Sequence, residues 1–172
     1  MAGLRGITPC LWFDDQAEQA AARYTNIFPN SRITAVARYG KAGFEHHGKP
    51  PGSVMTVAFE LDGKPFTALN GGPLFRFNEA ISFQIHCDTQ AEIDHYWNEL
   101  AKGGNPEAQQ CGWLKDAFGV CWQIVPSILP EMMTDPDPER SQRVMQVLLQ
   151  MKKLDIAALE AAFGAGPAPS GS

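Results

Sequence analysis

Four histidines and four cysteines are the side chains of this sequence whose chemistry could extend beyond packing, and their surroundings sort them. His46 and His47 stand beside Glu45, a ligand-rich triplet. Neighbours in an extended chain point to opposite sides, however, and the stretch Gly40 to Gly52, with its glycines and prolines, reads as a long solvated polar loop. His95 falls on the outer side of a helical stretch. His86 is different: in the alternating run Ile81-Ser82-Phe83-Gln84-Ile85-His86-Cys87 it shares a strand face with Ser82 and Gln84, and imidazole is the commonest general acid–base. Catalysis and a hydrogen-bonded structural role are both open to it. Cys10, Cys87, Cys111 and Cys121 contain no CxxC pair and sit mostly in strand-like runs, so they read as reduced thiols rather than disulfides. Cys111, before a glycine near a hairpin, has no basic sequence neighbour to activate it.

Several chemistries lack their motifs. There is no GxSxG, P-loop or HExxH pattern, and the first strand runs into Asp14-Asp15 where a dinucleotide or S-adenosylmethionine fold needs a glycine-rich turn. Asn70-Gly71-Gly72 follows a strand but leads into Pro73 and aromatics, a poor anion nest.

The elements that must position these residues occur twice. Gln16-Ala17-Glu18 returns as Gln90-Ala91-Glu92, and Tyr24-Thr25-Asn26 returns as Tyr96-Trp97-Asn98, with the second helix two residues shorter by this count. In the first copy, strand Ile7 to Phe13 precedes a helix capped by Asp14 or Asp15 and running to Phe28. Strand Arg32 to Tyr39 follows, then Val54 to Leu61 and Pro65 to Leu69 flanking Asp62-Gly63, a hairpin signal because that pair tolerates positive φ. In the second copy, strand Ile81 to Cys87, helix Gln90 to Lys102, a strand at Glu107 to Gln110, and Gly112 to Lys115 with Val120 to Val125 around Asp116 to Gly119 repeat the order. Both read βαβββ. Trp113 and Trp122 read as packing residues of their strands.

The expected division is 1–72 and 73–126 as two modules of one domain, 127–163 as C-terminal helices, and 164–172 as a disordered Gly/Pro/Ala/Ser tail. Met132, Met133, Val144, Leu148, Met151 and Leu159 give those helices an apolar stripe that either clamps a partner or caps its own sheet. The chain has 172 residues, 44% hydrophobic, with a formal charge of -5 and no dense Lys/Arg cluster, which argues against nucleic-acid and anionic-membrane partners. With no long apolar stretch and no basic-then-apolar leader, the expectation is a cytoplasmic protein.

Ile7-Thr8-Pro9-Cys10-Leu11-Trp12-Phe13, Leu69-Asn70-Gly71-Gly72-Pro73, Cys111-Gly112-Trp113-Leu114-Lys115-Asp116, Phe118 to Pro126 and Met151-Lys152-Lys153-Leu154-Asp155 resemble the PhnB-like branch of the vicinal oxygen chelate superfamily, a branch labelled 3-demethylubiquinone 3-methyltransferase. The resemblance implies an α+β fold, tandem βαβββ modules forming curved mixed sheets around a cavity, and a homodimer. Superfamily enzymes hold a divalent metal in that cavity, and carrying the ligand positions over gives Thr8, Thr67, Ser82 and Gln123. These are hydroxyl and amide donors, poor ligands for a first-row metal, so neither metal nor another cofactor is expected.

If Thr8, Cys10, Trp12, Thr67, Ser82, Gln84, His86, Cys121 and Gln123 share the concave surface, the site is neutral, moderately polar and partly aromatic, suited to a small uncharged molecule. The expected function is a metal-free small-molecule-binding protein. Its alternatives are an enzyme of unknown reaction on a small organic substrate, following the branch's 3-demethylubiquinone 3-methyltransferase label or the glyoxalase and dioxygenase relatives that the resemblance implies, with His86 as the catalytic candidate, and a structural or regulatory dimer with a vestigial cavity.

Overall fold

In the computed structural model, which describes residue 3 and residues 5–166, the chain folds as two units, one ending at Phe77 and one beginning at Asn78. Each is a mixed sheet with a helix laid across one face. The architecture is the expected α+β one, with sheets of four and three strands and C-terminal helices.

In the first unit β1 (Cys10–Phe13), α1 (Ala17–Ile27), β2 (Arg32–Arg38), α2 (Phe44–His47), β3 (Val54–Leu61) and β4 (Lys64–Asn70) form a sheet ordered β1-β4-β3-β2. β1 lies parallel to β4 and the other pairs are antiparallel. Asp62 and Gly63 take positive φ of 48° and 71° in the β3–β4 turn, as the Asp-Gly pair predicts. Alternation then decides the faces: Leu11, Phe13, Val57, Phe59, Leu61 and Ala68 are buried, as are Ala17, Ala20, Ala21, Tyr24 and Ile27 of α1. Three alanines on the inner stripe of α1 let the helix sit close to the sheet, and Tyr24 meets Phe59 with ring centroids 6.4 Å apart.

The expected cap of α1 is corrected by the structure. Its N-cap is Gln16, whose side chain makes no capping bond, and neither Asp14 nor Asp15 replaces it. Asn70, at the far end of β4 and only 7% exposed, does so: its Oδ1 accepts from the Ala17 N–H at 2.8 Å. Its Nδ2 donates to the Val54 carbonyl at 3.1 Å, and its own carbonyl accepts from the Tyr39 hydroxyl at 2.6 Å. The loop from Gly40 to Gly52 also holds more order than its composition predicts. One helical turn, α2, is bounded by Gly43 and Gly48, both left-handed. His47 stacks on Tyr39 at 4.5 Å and accepts at Nδ1 from the Lys49 N–H at 2.9 Å, so His47 is half-buried while His46 is exposed.

In the second unit β5 (Phe83–Cys87), α3 (Gln90–Ala101), a 3₁₀ turn (Pro106–Ala108), β6 (Trp113–Lys115), β7 (Cys121–Pro126), α4 (Leu129–Met133), α5 (Pro138–Leu148) and α6 (Ile156–Gly164) follow in order. The sheet is β5-β7-β6, with β5 parallel to β7. The strand expected at Glu107 to Gln110 is instead the 3₁₀ turn. Pro106 cannot donate to a ladder and Asn105 accepts the Glu107 N–H at 3.0 Å, so the local chemistry favours a capped turn. The second helix is not the shorter one: Thr89 and Glu92 form a reciprocal capping box that draws Gln90 into α3, which has 12 residues against 11 in α1.

The C-terminal helices build a small core of their own inside this unit. Met132, Val144, Leu154 and Leu159 are fully buried together, with Val125 of β7, Met151 and Phe163 packed against them. Gln90 ties the segment down, donating to the Leu154 carbonyl at 3.1 Å and accepting from the Ile156 N–H at 2.9 Å, while Lys153 pairs with Asp94 at 2.6 Å. Those helices therefore cap their own unit. Of the expected tail, Gly164 closes α6 and residues 167–172 lie outside the described residues.

Replacing Asn70 by alanine would orphan the buried Ala17 N–H and Val54 carbonyl. Roughly 2–4 kcal/mol of stability should be lost, read from urea unfolding midpoints, and a loss below about 1 kcal/mol would contradict this role.

Candidate functional site

The open face of the second unit's sheet, opposite α3, is organised by the parallel register of β5 and β7, in which Gln84 pairs with Gln123 and His86 with Val125. On the other side of β7, Trp113 pairs with Gln123 and Lys115 with Cys121. Gln123 is the centre of this face: its Nε2 donates to Ser82 Oγ at 2.7 Å, and its Oε1 accepts from Gln84 Nε2 at 3.4 Å. Both ends of the amide are thus engaged. Gln84 and His86 are exposed, Ser82 and Gln123 half-buried, and Cys121 buried. Five of the residues picked out in the sequence therefore come together on this unit.

The remaining four lie on the first unit. Cys10 pairs with Thr67, which pairs in turn with Ala58, and Trp12 pairs with Leu69, all on the face away from α1. Thr8 precedes β1 and is exposed, although the Thr67 N–H still reaches the Pro9 carbonyl at 2.9 Å. Trp12 has a structural task. Its Nε1–H donates to the Gly72 carbonyl at 2.8 Å and its ring meets Phe75 edge-on at 5.0 Å. A Cβ on Gly71 would lie 2.3 Å from the indole carbons, so only glycine admits the ring here.

The donor set carried over from the resemblance does not suit a metal. Ser82 and Gln123 are bonded to each other, Thr8 and Thr67 offer only hydroxyls, and none is imidazole, carboxylate or thiolate. Among the described residues no group of three or more His, Cys, Asp or Glu is placed to hold a metal ion.

Below this face a buried carboxylate holds the β6–β7 turn, which the sequence reads only as a hairpin signal. Asp116 Oδ1 accepts from the N–H groups of Phe118 and Val120 at 2.9 and 3.0 Å, and Oδ2 accepts from the Trp122 indole at 2.9 Å. Trp122 is a packing residue, 2% exposed. Burial raises the Cys121 thiol, and at Cys87 burial, with Glu92 and Asp88 adding to it, pushes the thiol up to about 11. Both thiols are therefore held protonated at neutral pH and are poor nucleophiles.

The family described as 3-demethylubiquinone-9 3-methyltransferase matches residues 5–125. Among solved structures, the chain is similar to a putative 3-demethylubiquinone-9 3-methyltransferase, the PhnB protein of Bacillus cereus, at 32% identity and a TM-score of 0.60, covering 71% of this chain and 99% of that one. It is also similar to protein PA1353 of Pseudomonas aeruginosa, at 20% identity and a TM-score of 0.52 over 70% and 96% of the two chains, a likeness of fold. Among curated proteins none matches.

Two outcomes follow from the packing. Gly71→Ala should displace the Trp12 ring, altering the near-ultraviolet circular dichroism and costing roughly 1–3 kcal/mol; an unchanged spectrum would mean the indole is not held there. The unfolded chain ionises Cys87 near its ordinary 9.0 while the folded chain holds the proton to about 11, so stability contributed by this thiol is present below pH 9 and falls through that window. The fall in urea midpoint between those limits should be shallower in Cys87→Ala than in the wild type.

Proposed function

The chain belongs to the 3-demethylubiquinone-9 3-methyltransferase family of the vicinal oxygen chelate superfamily, and we propose that it is a small-molecule-binding member working without a resident metal. The Ser82–Gln123–Gln84 chain of neutral hydrogen bonds carries this reading, because it stands at two of the four positions where the superfamily's metal ligands would be. A face of hydroxyl, amide, thiol and indole groups recognises a neutral, moderately polar organic molecule by hydrogen bonding and apolar contact. In this reading Ser82, Gln84, His86, Cys121 and Gln123 form the binding surface of the second unit, and Thr8, Cys10, Trp12 and Thr67 are the corresponding residues on the open face of the first.

The family's descriptive name is a weaker guide to chemistry. The turn between β1 and α1 is Asp14-Asp15-Gln16, whose helix end is closed by the Asn70 amide, and it has no glycines on which a cofactor's phosphate or carboxylate could rest. An enzymatic reading has one observation in its favour: His86 stands exposed on the same sheet face as Gln84 and Ser82. If the bound molecule is turned over, His86 is the acid or base.

A homodimer is part of the proposal. All seven residues of β2 are exposed, Ile33 at 41% and Val36 at 42%, and a second copy would cover such a strand. No described helix is long and apolar enough to cross a membrane.

Elemental analysis of the purified protein should find no metal at stoichiometric level, and one equivalent of zinc, nickel, manganese or iron would overturn the metal-free reading. In thermal-shift assays, small neutral and quinone-like compounds should raise the melting temperature, since a ligand at about 100 times its Kd adds roughly 2.7 kcal/mol. Gln123→Leu should abolish that shift. Light scattering should report twice the chain mass, and a monomer would remove the dimer from the proposal.

A further inference from the structure

A cavity of about 350 Å³ lies beside β6 in the second unit, walled by Trp113, Leu114, Cys111 and Cys121 and carrying one cation, Lys115, and one anion, Glu79. We propose that this cavity is a second ligand site, which takes a monocyclic organic carboxylate whose acid group replaces Glu79 on the Lys115 ammonium.

The cavity exists because the two sheets differ. In the first unit β2 covers the outer edge of β3, whereas beside β6 among the described residues lie the 3₁₀ turn and the reversal Gln110-Cys111-Gly112-Trp113 rather than a fourth strand. That reversal is rigid. Cys111 and Gly112 both have positive φ, 52° and 83°, Trp113 and Gln110 exchange backbone bonds at 2.8 and 3.1 Å, and the Cys111 and Gly112 N–H groups are held by the Met151 and Lys152 carbonyls. A two-residue turn of this hand ordinarily takes Asn-Gly or Gly-Gly. Here it places a thiol on the wall of a preformed hollow instead.

The chemistry of the wall selects the ligand. The Trp113 indole and the Cys111 thiol offer apolar, polarisable contact to a ring, and Cys121 behind them is held neutral by its burial, so it does not compete with an incoming anion. Lys115 is the point charge. Its side chain is 28% exposed, while that of its partner Glu79 is 66% exposed, on the turn before β5. The hydrogen bond between them raises the lysine and lowers the glutamate, which keeps both charged at neutral pH. A surface pair with so exposed a carboxylate contributes little, so a ligand acid that also fills the apolar wall displaces Glu79 readily. One cation suits a carboxylate better than a phosphate or nucleotide, which gathers several. The volume lies near the lower end of the ~300–1,000 Å³ range for small-molecule pockets, room for a single ring.

This site goes beyond the neutral-ligand reading; it lies toward β6 on the same sheet face and shares Cys121 with that surface. Its test is titration calorimetry of the intact protein with benzoate, and with benzamide as the neutral isostere. Benzoate should bind and benzamide should bind at least about tenfold more weakly; no benzoate binding, or equal binding of the two, overturns the proposal. Glu79→Gln should tighten benzoate about three- to fivefold by removing the competing carboxylate, and Lys115→Met should abolish it. If Lys115→Met does not fold, the Glu79→Gln titration decides: unchanged or weaker binding overturns the role of the pair. Ser82→Ala and Gln123→Leu should leave benzoate affinity unchanged. A loss in those variants would place benzoate on the neutral face and overturn the second site, while their failure to bind neutral compounds would bear only on the earlier reading.

Discussion

The first unit depends on one buried amide. Asn70 closes β4, lies opposite Phe13 of β1 in parallel register, supplies the acceptor that the first turn of α1 lacks, and holds the start of β3 through the Val54 carbonyl. A carboxamide is the side chain that can accept and donate at once without a net charge, which matters where exposure is 7% and an ionised group would be costly. With the Tyr39 hydroxyl on its carbonyl, this residue joins four segments that are distant in sequence. The Trp12 indole then docks on the two glycines that follow, so the end of β4, the start of α1 and the open face of β1 are fixed as one piece.

The second unit solves the same problems with different chemistry. Its helix is capped from within by Thr89 and Glu92, and its buried polar anchor is a carboxylate, Asp116, satisfied by two backbone N–H groups and an indole. Gln90 holds the C-terminal segment, while its repeat partner Gln16 is exposed at the helix end. The same tripeptide thus does different work in each copy. The two copies share the opening strand and helix and the closing hairpin, while the segment between them and the side chains that stabilise each copy differ.

Much of this was legible in the residues because it rests on local rules. Asp62-Gly63 announces its turn through tolerance of positive φ, alternation in Val54 to Leu61 announces its buried face, and the spacing of Val144, Leu148 and Leu159 announces helices that bury one side. The neutrality of Thr8, Thr67, Ser82 and Gln123 was equally plain, since residue type alone decides it. What escaped depends on partners remote in sequence or on competition between two local signals. Asn70-Gly71-Gly72 looks like a loop rich in turn residues, and nothing local says that its amide reaches Ala17. Glu107 to Gln110 reads as the strand the repeat requires, but Asn105 and Pro106 win the segment for a 3₁₀ turn. Gln123 bonding Ser82 becomes visible only once the parallel register is known.

The cap of α1 also carries a consequence for how the chain acquires its structure during synthesis. Ala17 receives its acceptor from a residue 53 positions later, so on the ribosome this helix waits with an unsatisfied first turn until β4 has emerged, whereas Thr89 and Glu92 let α3 close as soon as it is made. The first turn of α1 is therefore completed later than that of α3. The parallel β1–β4 pairing must also close that long loop before any contact rewards it.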